Sequence, residues 1–269
     1  EEGHWKAGPE RDLQLVYRSR GRDLDQQIMR TICTPEGSQT ERASRSSSPR
    51  LVPPHHSLSY TCELGRKGLH LLALSIPFGM WWMGMPTALY ILAAAALVAV
   101  TADVTRAYSR SFNAFIRRLF GPLMRADELP EIGDGIRLNG ATCVLVGAAL
   151  MVLLFPLRVA VPVLAMAMLA DAAAALVGRR FGRHPWGSLS ATVEGTTAFV
   201  VLGLGVMACF PRIAFGPAAA GVLIGAAVEL LPPPVNDNIW VPVVAGFVVV
   251  GSEALLLGAP LSLFAGLPG

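Results

Sequence analysis

The residues of this chain best suited to chemistry surround one acid, Asp171, which stands in an otherwise uncharged apolar stretch. An ionisable side chain at membrane depth costs about 2.5 to 3.5 kcal/mol on insertion scales, so it is tolerated mainly when it has a partner or a ligand. Arginine forks match phosphate oxygens, glycines let the backbone approach them, and a carboxylate beside them suggests a bridging Mg²⁺. Such residues follow Asp171 closely: Gly178, Arg179, Arg180, Gly182, Arg183 and His184. The simpler interpretation is a helix that ends at a glycine, with an ion pair between Asp171 and Arg179.

A second cluster lies at the start of the first apolar stretch. Glu63, Arg66, Lys67 and His70 fall at i, i+3, i+4 and i+7, so a helix would place them on one face. That face could hold a phosphate group through Arg66, Lys67 and His70. The alternative is the ordinary basic flank of a membrane span, with a surface ion pair between Glu63 and Lys67.

Two further clusters open apolar stretches later in the chain. Glu194 and Gly195 begin one of them, where the helix macrodipole stabilises a carboxylate; alone, this pair indicates only the start of a helix. Asp237 and Asn238 begin the last stretch, and Glu229 stands near the end of the stretch before it. Asp237 and Asn238 could cap a helix, or Asp237 could be a metal ligand.

Composition divides the chain into a polar tail, residues 1–60, and an apolar part, residues 61–269. Hydrophobic residues make up 53% of the 269 residues, the mean hydropathy is +0.50, and nearly all of this apolarity follows residue 68. The tail carries nine Lys and Arg residues and no apolar run long enough for a core, which predicts a disordered cytosolic segment.

The four cysteines are far apart and form no CxxC pair, so they predict neither a disulfide framework nor a zinc site.

The apolar part predicts an all-α, polytopic membrane helix bundle of about seven transmembrane helices. The stretches are residues 68–84, 86–102, 138–157, 160–178, 195–211, 214–231 and 239–258. If the tail is cytosolic, the loops on that side carry eleven Lys and Arg residues and the opposite loops carry two. This asymmetry predicts a cytosolic N-terminus and a C-terminus across the membrane.

The predicted topology places most polar residues at the cytosolic ends of the spans. They are Glu63, Asp103, Asp134, Asn139, Asp171, Glu194, Glu229, Asp237 and Asn238. A transporter is expected to place its ionisable groups near the membrane midplane. The distribution therefore favours an enzyme that meets a soluble substrate at the cytosolic interface.

Residues 106–125 predict a basic amphipathic helix in the headgroup plane. Phe112, Phe115 and Ile116 recur at helical spacing, and arginines fill much of the remainder. The simpler interpretation is an interfacial anchor. The alternative is that Arg117 or Arg118 also reaches an anionic substrate.

The order of these clusters resembles the dolichol kinase and phytol kinase family, which is related to the CDP-diacylglycerol synthases. The resemblance covers residues 62–247. It is carried by E-x-x-R-K-x-x-H at the first span, the arginine-rich helix, L-N-G-A-T at the third span, A-D-A-A-A-A-L-V-G-R-R-F-G-R ending the fourth, V-E-G-T-T-A-F opening the fifth and D-N-I-W-V-P opening the seventh. These kinases use CTP to phosphorylate lipid alcohols.

The resemblance implies transfer of the γ-phosphoryl group of CTP to a polyprenol, phytol or diacylglycerol hydroxyl, with Mg²⁺ on the triphosphate. No nucleic-acid partner is expected. Asp171 and Glu194 would be the catalytic acids, and Asp171 and Asp237 would bind the metal. The residues implied to bind nucleotide or phosphate are Arg66, Lys67, His70, Gly178, Arg179, Arg180, Gly182, Arg183, Gly195 and Asn238.

One position departs from the family pattern. The family carries K-[ST]-x-E-G, and this chain has Ala191 where that lysine stands. Arg183, His184 or Lys67 would then have to replace it, or the activity is weak, altered or absent. The alternatives are cytidylyl transfer to a lipid phosphate, disfavoured because no lysine follows Lys67, and a membrane transporter or an inactive homologue.

Overall fold

The computed structural model describes residues 68, 72–120, 136–187, 191–231 and 236–264. These residues all belong to one compact unit, Leu64–Gly269. The predictions for the tail, residues 1–60, and for Arg66, Lys67 and His70 lie outside the described residues.

The described residues form eight helices and no strand, which confirms the all-α class for this part of the chain. The helices are α1 (Ser75–Met83), α2 (Thr87–Tyr108), α3 (Arg110–Phe120), α4 (Gly140–Leu154), α5 (Leu157–Phe181), α6 (Val193–Ala208), α7 (Phe215–Leu230) and α8 (Asp237–Leu257). One isolated antiparallel bridge joins Pro185 to Thr192, between α5 and α6.

Each of the seven apolar stretches contains one helix, but the helices differ in length. Among the described residues, α2, α5 and α8 are long and apolar enough to cross a membrane. Helices α4, α6 and α7 are apolar but shorter, at 15, 16 and 16 residues, and α1 has nine. The structure thus contains three helices of spanning length, fewer than the seven expected.

Side-chain caps fix where three of the helices begin. Asn139 accepts a hydrogen bond from the Thr142 amide at the start of α4, and Thr192 accepts one from the Gly195 amide at the start of α6. Helix α8 is capped by Asn236, which accepts from the Asn238 amide. Of the two alternatives for Asp237 and Asn238, capping is thus taken by the preceding residue, although Oδ1 of Asp237 also accepts from the Asn238 amide at 3.0 Å. With Asn236 outside the helix, both of those residues lie in its first turn.

Helix α5 lies at the centre of the packing. Of its most apolar window 67% is buried, against 28% for α2 and 39% for α8. It contacts α6 most extensively and also packs against α8, α1 and α4. The central position of α5 puts Asp171, near its middle, among the other helices.

The predicted basic helix at residues 106–125 begins later in the structure than expected. Helix α2 continues to Tyr108, and the amphipathic helix α3 begins only at Arg110. Arg106 therefore belongs to α2, where it is 2% exposed and pairs with Asp103 at 3.2 Å. Asp103 also accepts from the main-chain amide of Asn139 at 2.9 Å. This buried pair holds the chain that enters α4, so Arg106 does not contribute to a basic surface.

Candidate functional site

Four polar residues from three helices line one small cavity, which we call the acidic cavity. Asp171 comes from α5, Glu229 from the last turn of α7, and Asp237 and Asn238 from the first turn of α8. The cavity measures about 20 Å³, which is room for about one water molecule. The remaining lining is apolar: Val144, Ala167, Met168, Phe199, Val241 and Pro242.

The predicted residues Asp171, Asp237 and Asn238 are thus brought together, although 66 residues separate the first from the second. Glu229 was noted in the sequence as an acid at the end of an apolar stretch but was not selected as a site residue. Its signal is the same as that of Asp171, an isolated acid in an apolar helix. Only the packing of α5, α7 and α8 together shows that the two acids share a space.

The first turn of α8 lies close to the main chain of α4. Pro242 lacks an N–H, so the carbonyl of Asn238 has no donor four residues ahead in the helix. That carbonyl faces Gly147 of α4, and a Cβ added at Gly147 would collide with it. The glycine therefore lets the two helices approach closely beside the acidic cavity.

A metal ion can be held by protein side chains alone, or by one or two carboxylates together with a substrate, and the acidic cavity matches only the second kind of site. Within the described ranges, no group of three or more histidine, cysteine, aspartate or glutamate side chains is close enough to hold a metal by itself. Mg²⁺, however, is commonly held by one or two carboxylates together with substrate phosphates. The two aspartates, Asp171 and Asp237, match that smaller protein contribution in ligand type and number, and their role as metal ligands stays a prediction.

Three of the predicted glycines pack α5 against α6. A Cβ on Gly195 would lie 2.9 Å from the carbonyl of Ala174, and one on Gly178 would lie 3.0 Å from Oγ1 of Thr192. A Cβ on Gly182 would meet the carbonyl of Gly178 and the side chain of Thr192. Close helix packing accounts for these glycines, while their role in phosphate binding stays a prediction.

Beyond α5, residues 182–187 form what we call the junction segment, which folds back on the start of α6. Its main contact is between His184 and Glu194. Nδ1 of His184 lies 2.7 Å from Oε1 of Glu194, and the His184 amide donates to Oε2 at 3.3 Å. Because a carboxylate only accepts, Nδ1 must carry the hydrogen in this arrangement. We call this pair the latch.

The latch changes the acidity of Glu194, which precedes the apolar stretch 195–211. The hydrogen bond from His184, helped by main-chain amides, lowers the pKa of Glu194 from 4.5 to about 2. Glu194 is therefore a carboxylate at every pH near neutrality. It is not among the residues that line the acidic cavity.

The three predicted arginines of this region are exposed. Arg179 and Arg180 are in the last turn of α5, and Arg183 follows in the junction segment. The guanidinium carbon of Arg180 lies 5.6 Å from the centre of the Phe181 ring. Three positive side chains thus stand at one end of α5, accessible to an anion.

Ala191, where the resemblance leads us to expect lysine, pairs through its main chain. Its carbonyl accepts from the Trp186 amide at 3.0 Å. The chain has only two lysines, Lys6 and Lys67, and both precede residue 68, so the described residues contain no lysine to take its place.

A second charged site, missed in the sequence, lies at the other end of α5. Nη1 of Arg158 is 2.8 and 3.0 Å from the two carboxylate oxygens of Glu253 on α8. Glu253 is 5% exposed, and Nη2 of Arg158 lies 3.5 Å from Oγ of Ser262. The sequence analysis did not join these two partners, because 95 positions separate them and no local pattern connects them.

Comparison with known proteins adds no family to this description. No protein-family model matches the chain, and no match was found among curated proteins or solved structures.

Proposed function

We propose that this chain is a multi-pass membrane enzyme that phosphorylates a lipid alcohol at the cytosolic face, with CTP as donor. In this proposal all seven apolar helices span the membrane, the N-terminus is cytosolic and the C-terminus lies across the membrane. The shorter helices would reach the interface with their flanking residues. The proposal rests on the motif order and on one structural observation, the acidic cavity.

The acidic cavity supports phosphoryl transfer because it joins carboxylates from three helices near the arginine-bearing end of α5. Asp171 lies seven residues before Gly178, or roughly 10 Å at 1.5 Å per residue. That distance is comparable to the length of a triphosphate. A metal-bound phosphate at the cavity and an arginine-bound phosphate at the end of α5 are therefore compatible.

In this mechanism Asp171 and Asp237 would hold Mg²⁺, which when bound neutralises charge on the phosphate oxygens. Arg179, Arg180 and Arg183 would bind the remaining phosphate oxygens. The lipid hydroxyl, arriving from the bilayer, loses its proton to a carboxylate of the acidic cavity. Its oxygen bonds to the γ-phosphorus as the bond to CDP breaks, which yields a lipid phosphate and CDP.

The test uses the purified full chain in detergent with Mg²⁺, CTP labelled on either the γ- or the α-phosphate, and a panel of lipid alcohols together with phosphatidic acid. We expect γ-label in a lipid-alcohol product. Asp171→Asn should lower the rate by about 100-fold or more, the size of effect typical for a group that stabilises charge in the transition state.

Thr101→Ala, an exposed change on α2, is the matched control and should retain the wild-type rate. Transfer of α-label to phosphatidic acid would replace the proposal with cytidylyl transfer. If no lipid is labelled, and wild type and Asp171→Asn bind nucleotide equally, the kinase proposal is wrong.

A further inference from the structure

The junction segment is tied to the first turns of α6 by a set of hydrogen bonds. The Val193 amide donates to the carbonyl of His184 at 2.8 Å, and Nε1 of Trp186 donates to Oγ1 of Thr196 at 3.1 Å. Together with the latch and the Trp186–Ala191 bond, these contacts all run between residues 184–186 and 191–196. The segment therefore has one preferred position on α6.

The latch is the only contact in this set that uses a charged side chain. Both oxygens of Glu194 accept hydrogen bonds from His184 of the junction segment, and Glu194 does not line the acidic cavity. A metal ligand or a catalytic base would have to direct its carboxylate at the reacting groups. Glu194 directs its carboxylate at the segment that carries Arg183.

We infer that Glu194 and His184 are positioning residues, which hold the junction segment so that Arg183, with Arg179 and Arg180, faces an anionic ligand. This inference rests on the proposed function for the identity of that ligand, the phosphates of a nucleotide. It assigns Glu194 a role other than the catalytic one that the resemblance implies. It also assigns a positioning role to His184, which the sequence analysis named only as a possible replacement for the missing lysine.

The first readout is independent of activity. Hydrogen–deuterium exchange of the full chain in detergent follows two amides: that of His184, which donates to Glu194 in the latch, and that of Val193, which donates to the carbonyl of His184. Glu194→Ala and His184→Ala should each speed exchange by about tenfold, as expected for the loss of a hydrogen bond to a charged group. The double variant should exchange no faster than Glu194→Ala alone, because that change already removes both hydrogen bonds of the latch, whereas His184→Ala keeps the main-chain donor.

Two further variants control this readout. Thr197→Ala removes an exposed hydroxyl that bonds only within α6 and should leave exchange at 182–187 unchanged. Glu194→Gln keeps an acceptor oxygen and should restore part of the protection. If exchange at 182–187 is the same in wild type, Glu194→Ala and His184→Ala, the latch does not hold the junction segment. That result would overturn the inference whatever the activity of the protein.

The second readout is kinetic and separates positioning from metal binding. Both alanine variants should raise the KM for CTP by a similar factor and leave the Mg²⁺ concentration for half-maximal rate unchanged. A raised Mg²⁺ requirement in Glu194→Ala but not in His184→Ala would overturn the inference and make Glu194 a metal ligand. Failure of the kinase proposal would instead appear as no lipid product in any variant, with the exchange results intact.

Discussion

Helix α5 borders carboxylates at two places: near its start, which we call the Arg158 end, and just past its midpoint, at the acidic cavity, which we call the cavity end. Near its start, Arg158 forms an ion pair with buried Glu253. Asp171 lies thirteen residues later, roughly 20 Å along the helix, and shares a cavity with Glu229 and Asp237. At the Arg158 end the carboxylate of Glu253 forms an ion pair with a guanidinium of the same chain. At the cavity end three carboxylates line the acidic cavity. Exposure differs too, since Glu253 is buried and the three acids of the cavity are only partly buried. An acid in an apolar helix thus suggests a ligand site where the packing leaves a cavity beside it.

The largest effect on stability is expected at the Arg158 end. Glu253→Gln removes one charge of an ion pair whose carboxylate is buried and whose arginine side chain is 34% exposed, which should cost about 2 to 3 kcal/mol after solvent screening. We expect a corresponding fall in the unfolding midpoint measured in detergent, with no change in the rate of the protein that remains folded. The double variant Arg158→Met with Glu253→Gln should be less destabilised than Glu253→Gln alone. A loss of rate without a loss of stability would contradict the structural role.

The counterpart at the cavity end is Glu229→Gln. If Glu229 shapes the charge of the acidic cavity, the rate should fall by roughly 10- to 100-fold, or about 1.4 to 2.7 kcal/mol in the barrier. The unfolding midpoint should change less than in Glu253→Gln. Steady-state rates and thermal unfolding of the two variants, measured in parallel, check this contrast. Equal losses of stability in both would remove the distinction between the two ends.

A smaller effect compares the same change near each end of α6. Gly195→Ala places a methyl group 2.9 Å from the carbonyl of Ala174, and forcing such a contact typically costs about 1 to 3 kcal/mol. Gly205→Ala meets nothing within 4 Å and should stabilise the helix by about 0.5 to 1 kcal/mol. Thermal unfolding should therefore shift in opposite directions. A stabilising Gly195→Ala would show that α5 and α6 are not packed closely at this point.

The smallest effect depends on pH and belongs to the exposed latch. Because the pKa of Glu194 is lowered from 4.5 to about 2 in the folded protein, its contribution to stability is complete above pH 4.5. That contribution is lost as the pH falls from 4.5 towards 2. The difference in unfolding midpoint between wild type and Glu194→Gln should follow this curve, and the difference for Thr197→Ala should not vary with pH. A pH-independent difference for Glu194→Gln would contradict the lowered pKa.

The sequence was sufficient for the features that have a local signal. Hydrophobic runs located all seven apolar helices, and isolated acids located Asp171 and Asp237. The features that depend on distant partners were missed: Glu253 pairs with a residue 95 positions away, and the enclosure of Arg106 needs the chain before α4. Glu229 was recognised as an acid in an apolar stretch, but the sequence could not show that it belongs to the site. Acids near helix ends are common, and the neighbours of Glu229 in the cavity come from other helices.

Gly147 has no chemistry of its own, yet it adjoins the main chain of Asn238. A side chain there would press on backbone, which cannot rotate aside as a side chain does. Any residue larger than glycine would displace the first turn of α8, and with it the carboxylate of Asp237 relative to those of Asp171 and Glu229. The spacing of the acids is thus set in part by a residue that carries no side chain, on a helix that contributes none of them.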